Sequence, residues 1–267
     1  MTSYDIVQKF HLTVVGHGEP TLVFVHGFGS DQTSWRHQVA DFCADHRVVL
    51  FDHLGCGKAD VSDYHPRRYT SLESYAEDVL AIYEHLGLRD TVYVGHSVGA
   101  MIGLLASLAR PEAFAKLVLL AGSPRYLNDG AYLGGFTEGD LNALYSVMMQ
   151  DYLGWANGFA PLAMANGDRP ELGREFARSL GAMRPDLAQS AARVIFASDY
   201  RDRLPEIQHP VLVLQPQSDL MVPLSVAEYL ASQIPHSQFQ ILNAYGHLPH
   251  LSAPAEVTAA IRDFLAA

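Results

Sequence analysis

The pentapeptide Gly95-His96-Ser97-Val98-Gly99 directly follows an apolar run, Thr-Val-Tyr-Val at 91–94. A G-x-S-x-G sequence between a strand and a helix is the form of a nucleophile elbow, in which a serine occupies the tip of a tight turn. Glycine suits both flanks because a Cβ there would crowd the neighbouring strand or helix. The helical pattern from Val98 to Arg110, which Pro111 would end, supports this interpretation. The sequence therefore predicts that Ser97 exposes its hydroxyl at a strand-to-helix turn.

Composition indicates one enzyme-sized globular chain. Its 267 residues are 49% hydrophobic and 18% charged, with a net charge of -11; this length suits one α/β domain with an insertion. Because an acidic surface repels phosphate backbones and anionic lipid, we expect neither nucleic acid nor a membrane as a partner. No apolar run could span a bilayer and the start of the chain does not resemble a signal peptide, so we expect a cytoplasmic protein.

The sequence offers no pattern typical of a metal or nucleotide site. Cys43 and Cys56 are isolated thiols without C-x-x-C spacing, which predicts neither a zinc site nor a disulfide framework. Gly57-Lys58 resembles the end of a phosphate-binding loop, but Asp52 stands where the first glycine of that motif belongs. We therefore expect no metal and no cofactor.

Short apolar runs recur between helical stretches along the chain. Most are continuous rather than alternating, as in strands that a parallel sheet buries on both faces. One intervening helix has apolar residues at helical spacing from Leu72 to Leu86, and a capping box is predicted from Thr70 to Glu73. This alternation predicts a doubly wound, mostly parallel α/β sheet. The predicted strands are 12–15, 21–25, 48–51, 91–94, 116–121, 211–214 and 239–242.

The alternation stops between about Ser123 and Asp202, where helical patterns rich in Tyr, Met, Trp and Phe replace the strands. This stretch follows one predicted strand, at 116–121, and precedes the next, at 211–214. It therefore predicts a helical insertion. Its apolar residues either pack onto the main domain or cover a ligand cavity.

A serine nucleophile needs a histidine to take its proton and an acid to orient that histidine. Sheets of this kind supply them after later strands, in the order serine, acid, histidine. Asp219 follows the strand at 211–214 and His247 follows the strand at 239–242, so both positions meet this requirement. His250 is the alternative base.

Two other carboxylates, those of Asp199 and Asp202, are alternative acids, but both precede the strand at 211–214. The H-x-x-H pair of His247 and His250 could suggest a metal, yet no carboxylate pattern completes a ligand set. Asp219 and His247 are therefore the predicted acid and base.

An oxyanion hole requires two backbone N–H groups directed at the oxygen on which negative charge develops. One should come from Val98, the residue after the predicted nucleophile. The other should come from the loop after the strand at 21–25, which reads His26-Gly27-Phe28-Gly29. The N–H of Phe28 is the candidate there.

These motifs resemble the α/β-hydrolase superfamily and, within it, the RsbQ-type group, which includes the plant karrikin and strigolactone receptor hydrolases. The resemblance covers nearly the whole chain. The elbow is common to many hydrolases, whereas Tyr126-Leu127-Asn128-Asp129 and Gly134-Gly135-Phe136 are more restricted marks. Asp52-His53 departs from the bacterial relatives, which often have an aromatic residue there.

The resemblance implies an α/β-hydrolase fold with a core of residues 1–123 and 198–267 and an inserted four-helix lid of residues 124–197. Members of the group act slowly on small lactones or esters and serve as sensors. The bacterial member acts with a PAS-domain phosphatase, which makes such a phosphatase a candidate partner, and the plant members recruit an F-box protein. By position, the implied residues of an apolar pocket are Phe28, Tyr126, Phe136, Leu144, Trp155, Phe159, Phe176, Phe196 and Leu220.

Two classes of function fit these residues. The first is a serine esterase or lactonase that forms an acyl-enzyme on Ser97. The second is a sensor of a small apolar ester or lactone in stress signalling, in which slow hydrolysis only switches the lid. A metabolic carboxylesterase or a carbon–carbon bond hydrolase without a signalling partner stays an alternative, because both keep the serine triad; a cofactor-free haloperoxidase does too.

Overall fold

A computed structural model describes residues 3–62 and 64–267; Met1 and Thr2, at the start of the predicted core, lie outside the described residues. Seven strands of the described chain form one sheet in the lateral order β1-β3-β2-β4-β5-β6-β7. Every pair is parallel except β1 with β3 at the edge, which confirms the predicted mostly parallel α/β sheet. The strands are β1 (Thr13–Val15), β2 (Leu22–Val25), β3 (Val48–Leu50), β4 (Thr91–His96), β5 (Phe114–Leu120), β6 (Val211–Ser218) and β7 (Ser237–Tyr245).

Helices cover both faces of this sheet. In the described chain they are α1 (Ser3–Lys9), α2 (Arg36–Phe42), α3 (Leu72–Leu86), α4 (Val98–Ala109), α5 (Glu138–Gln150), α6 (Tyr152–Met164), α7 (Pro170–Gly181), α8 (Pro185–Ala197), α9 (Leu224–Gln233), α10 (Pro249–Ser252) and α11 (Pro254–Ala266). Short 3-10 turns lie at Gln32–Trp35, Pro111–Ala113 and Arg201–Glu206. No helix of residues 3–62 and 64–267 is both long and apolar enough to cross a bilayer.

The continuous apolar strands bury alternate residues in two separate cores. In β2, Leu22 and Phe24 join the core beside α2 and α11, whereas Val23 and Val25 join the core that contains α3, α4 and the inserted helices. Successive side chains of a strand point to opposite faces, so a strand covered on both sides must be apolar at every position. This packing explains why these strands lack polar alternation.

The predicted capping box from Thr70 to Glu73 is wrong. Ser71 is the N-cap of α3, without a side-chain cap hydrogen bond, and Thr70 is exposed. The Glu73 carboxylate instead accepts a hydrogen bond from Tyr200 Oη at 2.7 Å, which draws it away from the role of closing a box. The helix ends as predicted at Gly87, whose φ of 63° is the left-handed cap that glycine adopts without strain.

Four helices, α5 to α8, lie between β5 and β6, within the insertion expected at 124–197. At its base, Arg125 and Asp199 form an antiparallel β-bridge, and the Arg125 guanidinium lies 2.6 Å from the Asp199 carboxylate. The segments through which the chain enters and leaves the insertion are therefore held next to each other. The division into a core of 1–123 and 198–267 and a lid of 124–197 stays a prediction; the name lid is kept below for α5–α8.

The turn from β4 into α4 brings backbones into unusually close contact. Ser97, between the two elements, has a φ of 55°, a value that side chains rarely adopt. A Cβ on Gly95 would lie 2.5 Å from the carbonyl oxygen of Gly99, and one on Gly99 would lie 2.6 Å from the carbonyl oxygen of His26. Only glycine at both positions permits this approach of strand, helix and loop.

We predict that Gly95→Ala lowers the free energy of unfolding by about 1–3 kcal/mol, because the added methyl overlaps backbone atoms that cannot move aside. Urea unfolding followed by circular dichroism measures this. The matched control is Gly158→Ala on an exposed position of α6, where a Cβ would meet nothing within 4 Å. That control should stabilise the protein by about 0.5–1 kcal/mol; equal effects of the two variants would contradict the tight turn.

Candidate active site

Three strand ends bring Ser97, His247 and Asp219 together. Ser97 follows β4, Asp219 follows β6 and His247 follows β7. His247 Nε2 lies 2.8 Å from Ser97 Oγ, and His247 Nδ1 lies 2.8 Å from Asp219 Oδ2. The Asp219 side chain is fully buried, and Ser97 and His247 are buried. The arrangement can therefore take a proton from the serine hydroxyl while a carboxylate holds the imidazole.

The Asp219 carboxylate is oriented by its own turn. Its Oδ1 accepts hydrogen bonds from the N–H of Met221 at 2.8 Å and of Val222 at 3.3 Å. The remaining oxygen, Oδ2, is then directed at His247. With Nδ1–H donated to this carboxylate, the lone pair of the His247 Nε2 faces Ser97.

The alternative acids and base lie elsewhere. Asp199 binds Arg125 and Arg201 at the base of the lid, and Asp202 is exposed. His250 is completely buried, stacks on Trp35 with ring centroids 4.4 Å apart, and has no hydrogen bond to either ring nitrogen within the described chain. None of the three contacts Ser97 as His247 does. In the described residues no group of three His, Cys, Asp or Glu side chains could hold a metal ion.

The loop after β2 packs directly on the elbow. A Cβ added to Gly27 would lie 2.9 Å from the Ser97 Cβ. His26 Nδ1–H donates to the Gly27 carbonyl at 2.8 Å, and Ser30 N–H donates to the same oxygen at 3.3 Å. Since a trans peptide points its C=O and N–H in opposite directions, the Phe28 N–H is turned away from His26.

His26 also joins this loop to the one after β3. Its Nε2 accepts the backbone N–H of His53 at 3.0 Å, which is possible because Nδ1 carries the proton. Burial lowers the pKa of His26, which favours this neutral form. The part that His26 plays in orienting the Gly27–Phe28 peptide was not predicted from the sequence, where His26 was only part of a loop motif. Histidine directly before the glycines was the available signal.

The two predicted oxyanion donors are unpaired. Neither the N–H of Phe28 nor that of Val98, the first residue of α4, donates a hydrogen bond to another described residue. The first N–H groups of a helix have no partner within it and are available to a negative charge. Both residues therefore have a free donor near Ser97.

A cavity lies beside Ser97 and His247 and is called the main cavity below; its volume of about 450 Å³ includes space open to solvent. Seven of the nine predicted pocket residues line it, and Ile195 and Met221 are additions that sequence reasoning missed. Apart from Tyr126 and the two reacting groups, its walls are apolar. The lining is Phe28, Ser97, Tyr126, Leu144, Trp155, Phe159, Phe176, Ile195, Phe196, Met221 and His247.

Two predicted pocket residues, Leu220 and Phe136, do not line the main cavity. Leu220 is 56% exposed, because the turn closed by the Asp219 carboxylate on the Met221 N–H directs Met221 inward instead. Phe136 packs behind the wall, with its ring centroid 5.6 Å from that of Phe196 and 6.5 Å from that of Tyr126. These two assignments are corrected accordingly.

Uncharged histidines surround the reacting base. His96 Nε2–H donates to the His247 carbonyl at 2.7 Å, and the His96 ring lies 4.5 Å from that of His250. Burial, and then the neighbouring histidines His250 and His247, hold the pKa of His96 well below its ordinary value. Burial likewise lowers the pKa of His250 to about 3. Burial therefore keeps the rings of His96 and His250 neutral.

The buried His250 should make the protein sensitive to acid. Its pKa in the folded chain is below the ordinary 6.5, so unfolded chains bind a proton that folded chains cannot, and stability falls as pH drops from 6.5 towards 3. Between pH 7 and pH 5 this one group accounts for about 2 kcal/mol. His250→Phe, which removes no hydrogen bond of the ring, should therefore lose about 2 kcal/mol less over that interval.

Denaturant unfolding at pH 5, 6 and 7 checks this prediction. The matched control is His236→Gln, which replaces an exposed histidine. Parallel stability profiles for wild type and His250→Phe would show that His250 titrates normally in the folded chain.

Comparison with known proteins places these features in one family. Residues 20–254 match the family model described as the alpha/beta hydrolase fold. The chain is 45% identical over 252 residues to the karrikin insensitive 2 receptor CA of Petunia hybrida, covering 93% of each chain. It is 43% identical over 266 residues to the strigolactone esterase D14 of Arabidopsis thaliana, covering 99% of each.

A solved structure agrees over the same length. The hydrolase olei00960 of Oleispira antarctica superimposes with a TM-score of 0.95 at 34% identity, covering 99% of this chain and 97% of its own. The elbow, the order of the strands and these relatives lead to one assignment. The chain belongs to the α/β-hydrolase family and is a serine hydrolase of that fold.

Proposed function

We propose that the protein is an esterase or lactonase in which Ser97 is the nucleophile, His247 the general base and Asp219 the residue that orients the base. The observation that carries this proposal is the chain of two 2.8 Å hydrogen bonds joining the three side chains beside an apolar cavity. A serine hydroxyl alone is a weak nucleophile at neutral pH, and this arrangement activates it.

In the first half of the reaction, Ser97 Oγ attacks the ester carbonyl carbon as its proton passes to His247 Nε2. The carbonyl oxygen becomes negative and accepts hydrogen bonds from the N–H groups of Phe28 and Val98. The C–O bond to the alcohol then breaks, and His247 gives its proton to the departing oxygen. An acyl-enzyme on Ser97 results.

In the second half, water attacks the acyl carbon and gives a proton to His247. The bond to Ser97 Oγ breaks, the serine recovers its proton, and a carboxylic acid leaves. For a lactone, the alcohol and acid are parts of one opened product. No cofactor is required by either half, since proton transfer and acyl transfer involve only these residues and water.

The main cavity favours small, uncharged substrates. No Lys, Arg, Asp or Glu side chain is among its lining residues, so a carboxylate, phosphate or ammonium group would be buried there without a partner. Aromatic and aliphatic side chains make up most of its wall, which suits an apolar ester or lactone. Small esters and lactones are therefore the proposed substrate class.

A second function, that of a ligand sensor, is favoured by the relatives. The Petunia relative is named a receptor and the Arabidopsis relative an esterase, at nearly equal identity to this chain. In this proposal, hydrolysis is slow and the lid forms the surface that a protein partner binds when the ligand is present. A PAS-domain phosphatase is our candidate for that partner. The competing hypothesis to the sensor is a metabolic carboxylesterase or a carbon–carbon bond hydrolase without such a partner.

We predict that Ser97→Ala lowers hydrolysis of p-nitrophenyl acetate at least about 10³-fold, because removal of the nucleophile eliminates the covalent step. The variant should also fail to acquire the mass of a phenylmethylsulfonyl adduct in intact-protein mass spectrometry. Ser232→Ala is the matched control, since Ser232 is exposed on α9. If Ser97→Ala keeps wild-type hydrolysis, the nucleophile is misassigned.

The sensor proposal makes a separate kinetic prediction. Steady-state turnover of small lactones should fall below about one per second, at the low end of enzyme turnover numbers. A purified PAS-domain phosphatase should bind the protein more tightly with the lactone than without it, as measured by biolayer interferometry. Turnover of hundreds per second together with no ligand-dependent binding would favour the metabolic enzyme.

A further inference from the structure

A second cavity, the side chamber, lies next to the main cavity and shares the walls formed by Phe28 and Ile195. It lies between the oxyanion loop, the loop after β3, α3, α4 and α8, and its volume of about 320 Å³ includes space open to solvent. None of the proposed catalytic steps uses it. The residues of its wall are Gly27, Phe28, His53, Leu54, Cys56, Leu72, Tyr75, Val98, Ile102, Ala191 and Ile195.

Two polar side chains in this otherwise apolar wall are unsatisfied. His53 is 6% exposed and so is Tyr75. His53 Nε2 and Tyr75 Oη find no hydrogen-bond partner among the described residues. Their ring centroids lie 6.1 Å apart. Buried polar groups normally have partners, and leaving two unpaired in one chamber costs free energy that a suitable ligand group would recover.

Both groups are uncharged. Burial, and then the neighbouring His26, hold the pKa of His53 well below its ordinary value, and burial raises the pKa of the Tyr75 phenol. Burial also raises the pKa of Cys56 to about 12, so its thiol stays protonated. A charged ligand group would have no counter-charge in this wall, whereas a neutral hydroxyl can donate to one of the two groups and accept from the other.

The position of the chamber connects it with the reaction. Val98 lines it, and the N–H of the same residue is a proposed oxyanion donor. Phe28, which is half-buried, stands between the chamber and the main cavity. A ligand whose carbonyl is held at Ser97 would extend into the chamber past the wall that Phe28 and Ile195 form.

We propose that the side chamber is a subsite for the hydroxyl-bearing cyclic end of the ligand, with His53 and Tyr75 as the residues that recognise the hydroxyl. The inference rests on the proposed function, since it places the carbonyl of that ligand at Ser97. It adds a specificity: compact, neutral, hydroxylated rings are preferred over the same rings without a hydroxyl.

The test compares ketones, which place a carbonyl at Ser97 but have no leaving group. Isothermal titration calorimetry measures the Kd of 4-(4-hydroxyphenyl)butan-2-one and of 4-phenylbutan-2-one, together with the homologues one methylene shorter and one longer. For at least one length of the linker between ring and carbonyl, the hydroxylated ketone should bind about tenfold tighter than the ketone without the hydroxyl. The hydroxyl can pair with two otherwise unsatisfied groups. Tyr75→Phe and His53→Leu should each reduce this ratio to threefold or less.

A size variant supports the test independently of the polar pair. Ala191→Leu, in the chamber wall on α8, should fill the space and weaken binding of those hydroxylated ketones that show the preference at least about tenfold. Ala197→Leu, exposed on the same helix and outside both cavities, is the matched control and should leave binding and ester hydrolysis unchanged. Circular dichroism confirms that each variant is folded.

The outcomes separate this inference from the proposed function. If no spacing shows a preference for the hydroxyl, or if the preference survives in the double variant of Tyr75→Phe and His53→Leu, the chamber holds at most a structural water and the inference is overturned. Hydrolysis of p-nitrophenyl acetate by the same preparations reports on Ser97 separately. Failure of hydrolysis with an intact hydroxyl preference would overturn the enzyme mechanism and leave the subsite standing.

Discussion

The close approach of three backbone segments at Ser97 is the constraint on which the site depends. Ser97 keeps its rare positive φ because its N–H donates to the Leu120 carbonyl of β5 at 2.8 Å and its carbonyl accepts the N–H of Ala100 at 3.0 Å. Tyr93, in β4, donates a hydrogen bond from its Oη to the Gly99 carbonyl at 2.8 Å. Neighbouring segments thus hold a conformation that costs free energy locally, and Ser97, the proposed nucleophile, is fixed in place.

Buried neutral histidines extend this fixed geometry to the other parts of the site. His26 orients the peptide of the oxyanion loop, and His96 holds the backbone of His247. Imidazoles serve here because each can donate with one nitrogen without carrying a charge. Burial keeps His26, His96 and His250 neutral, so these three rings place no like charge against the proton that the proposed mechanism transfers to His247. The same burial makes the protein less stable in acid.

Much of this arrangement could be predicted because it follows from short-range patterns. Apolar runs, glycines and chain order indicated the sheet, the elbow, and the positions of Asp219 and His247 relative to strand ends. Side-chain direction within turns could not be obtained in that way. Leu220 and Met221 are equally apolar, and only the hydrogen bond from the Met221 N–H to Asp219 decides which one enters the main cavity.

Contacts between segments that are far apart in the sequence could not be predicted from short-range patterns either. Ser71 rather than Thr70 is the N-cap of α3, and Tyr200, far along the chain, donates a hydrogen bond to the Glu73 carboxylate that a local capping box would use. The side chamber likewise joins distant segments, since Ala191 lies more than a hundred residues after His53 and Tyr75 in the sequence. Neither periodicity nor a motif marks a site of this kind.

The wall between the main cavity and the side chamber makes the contacts of a ligand with the lid depend on the size of that ligand. Phe28 belongs to the oxyanion loop and Ile195 belongs to α8 of the lid, and both separate the main cavity from the side chamber. A ligand that occupies both spaces must contact the loop that stabilises the reacting oxygen and the helix that covers the site. If the proposed subsite is occupied, we expect such a ligand to change the packing of the lid and the position of the Phe28 N–H, the proposed oxyanion donor, together. A short ester confined to the main cavity leaves the chamber side of that wall untouched, so the two kinds of ligand should differ in their effect on the lid even where the chemistry at Ser97 is the same.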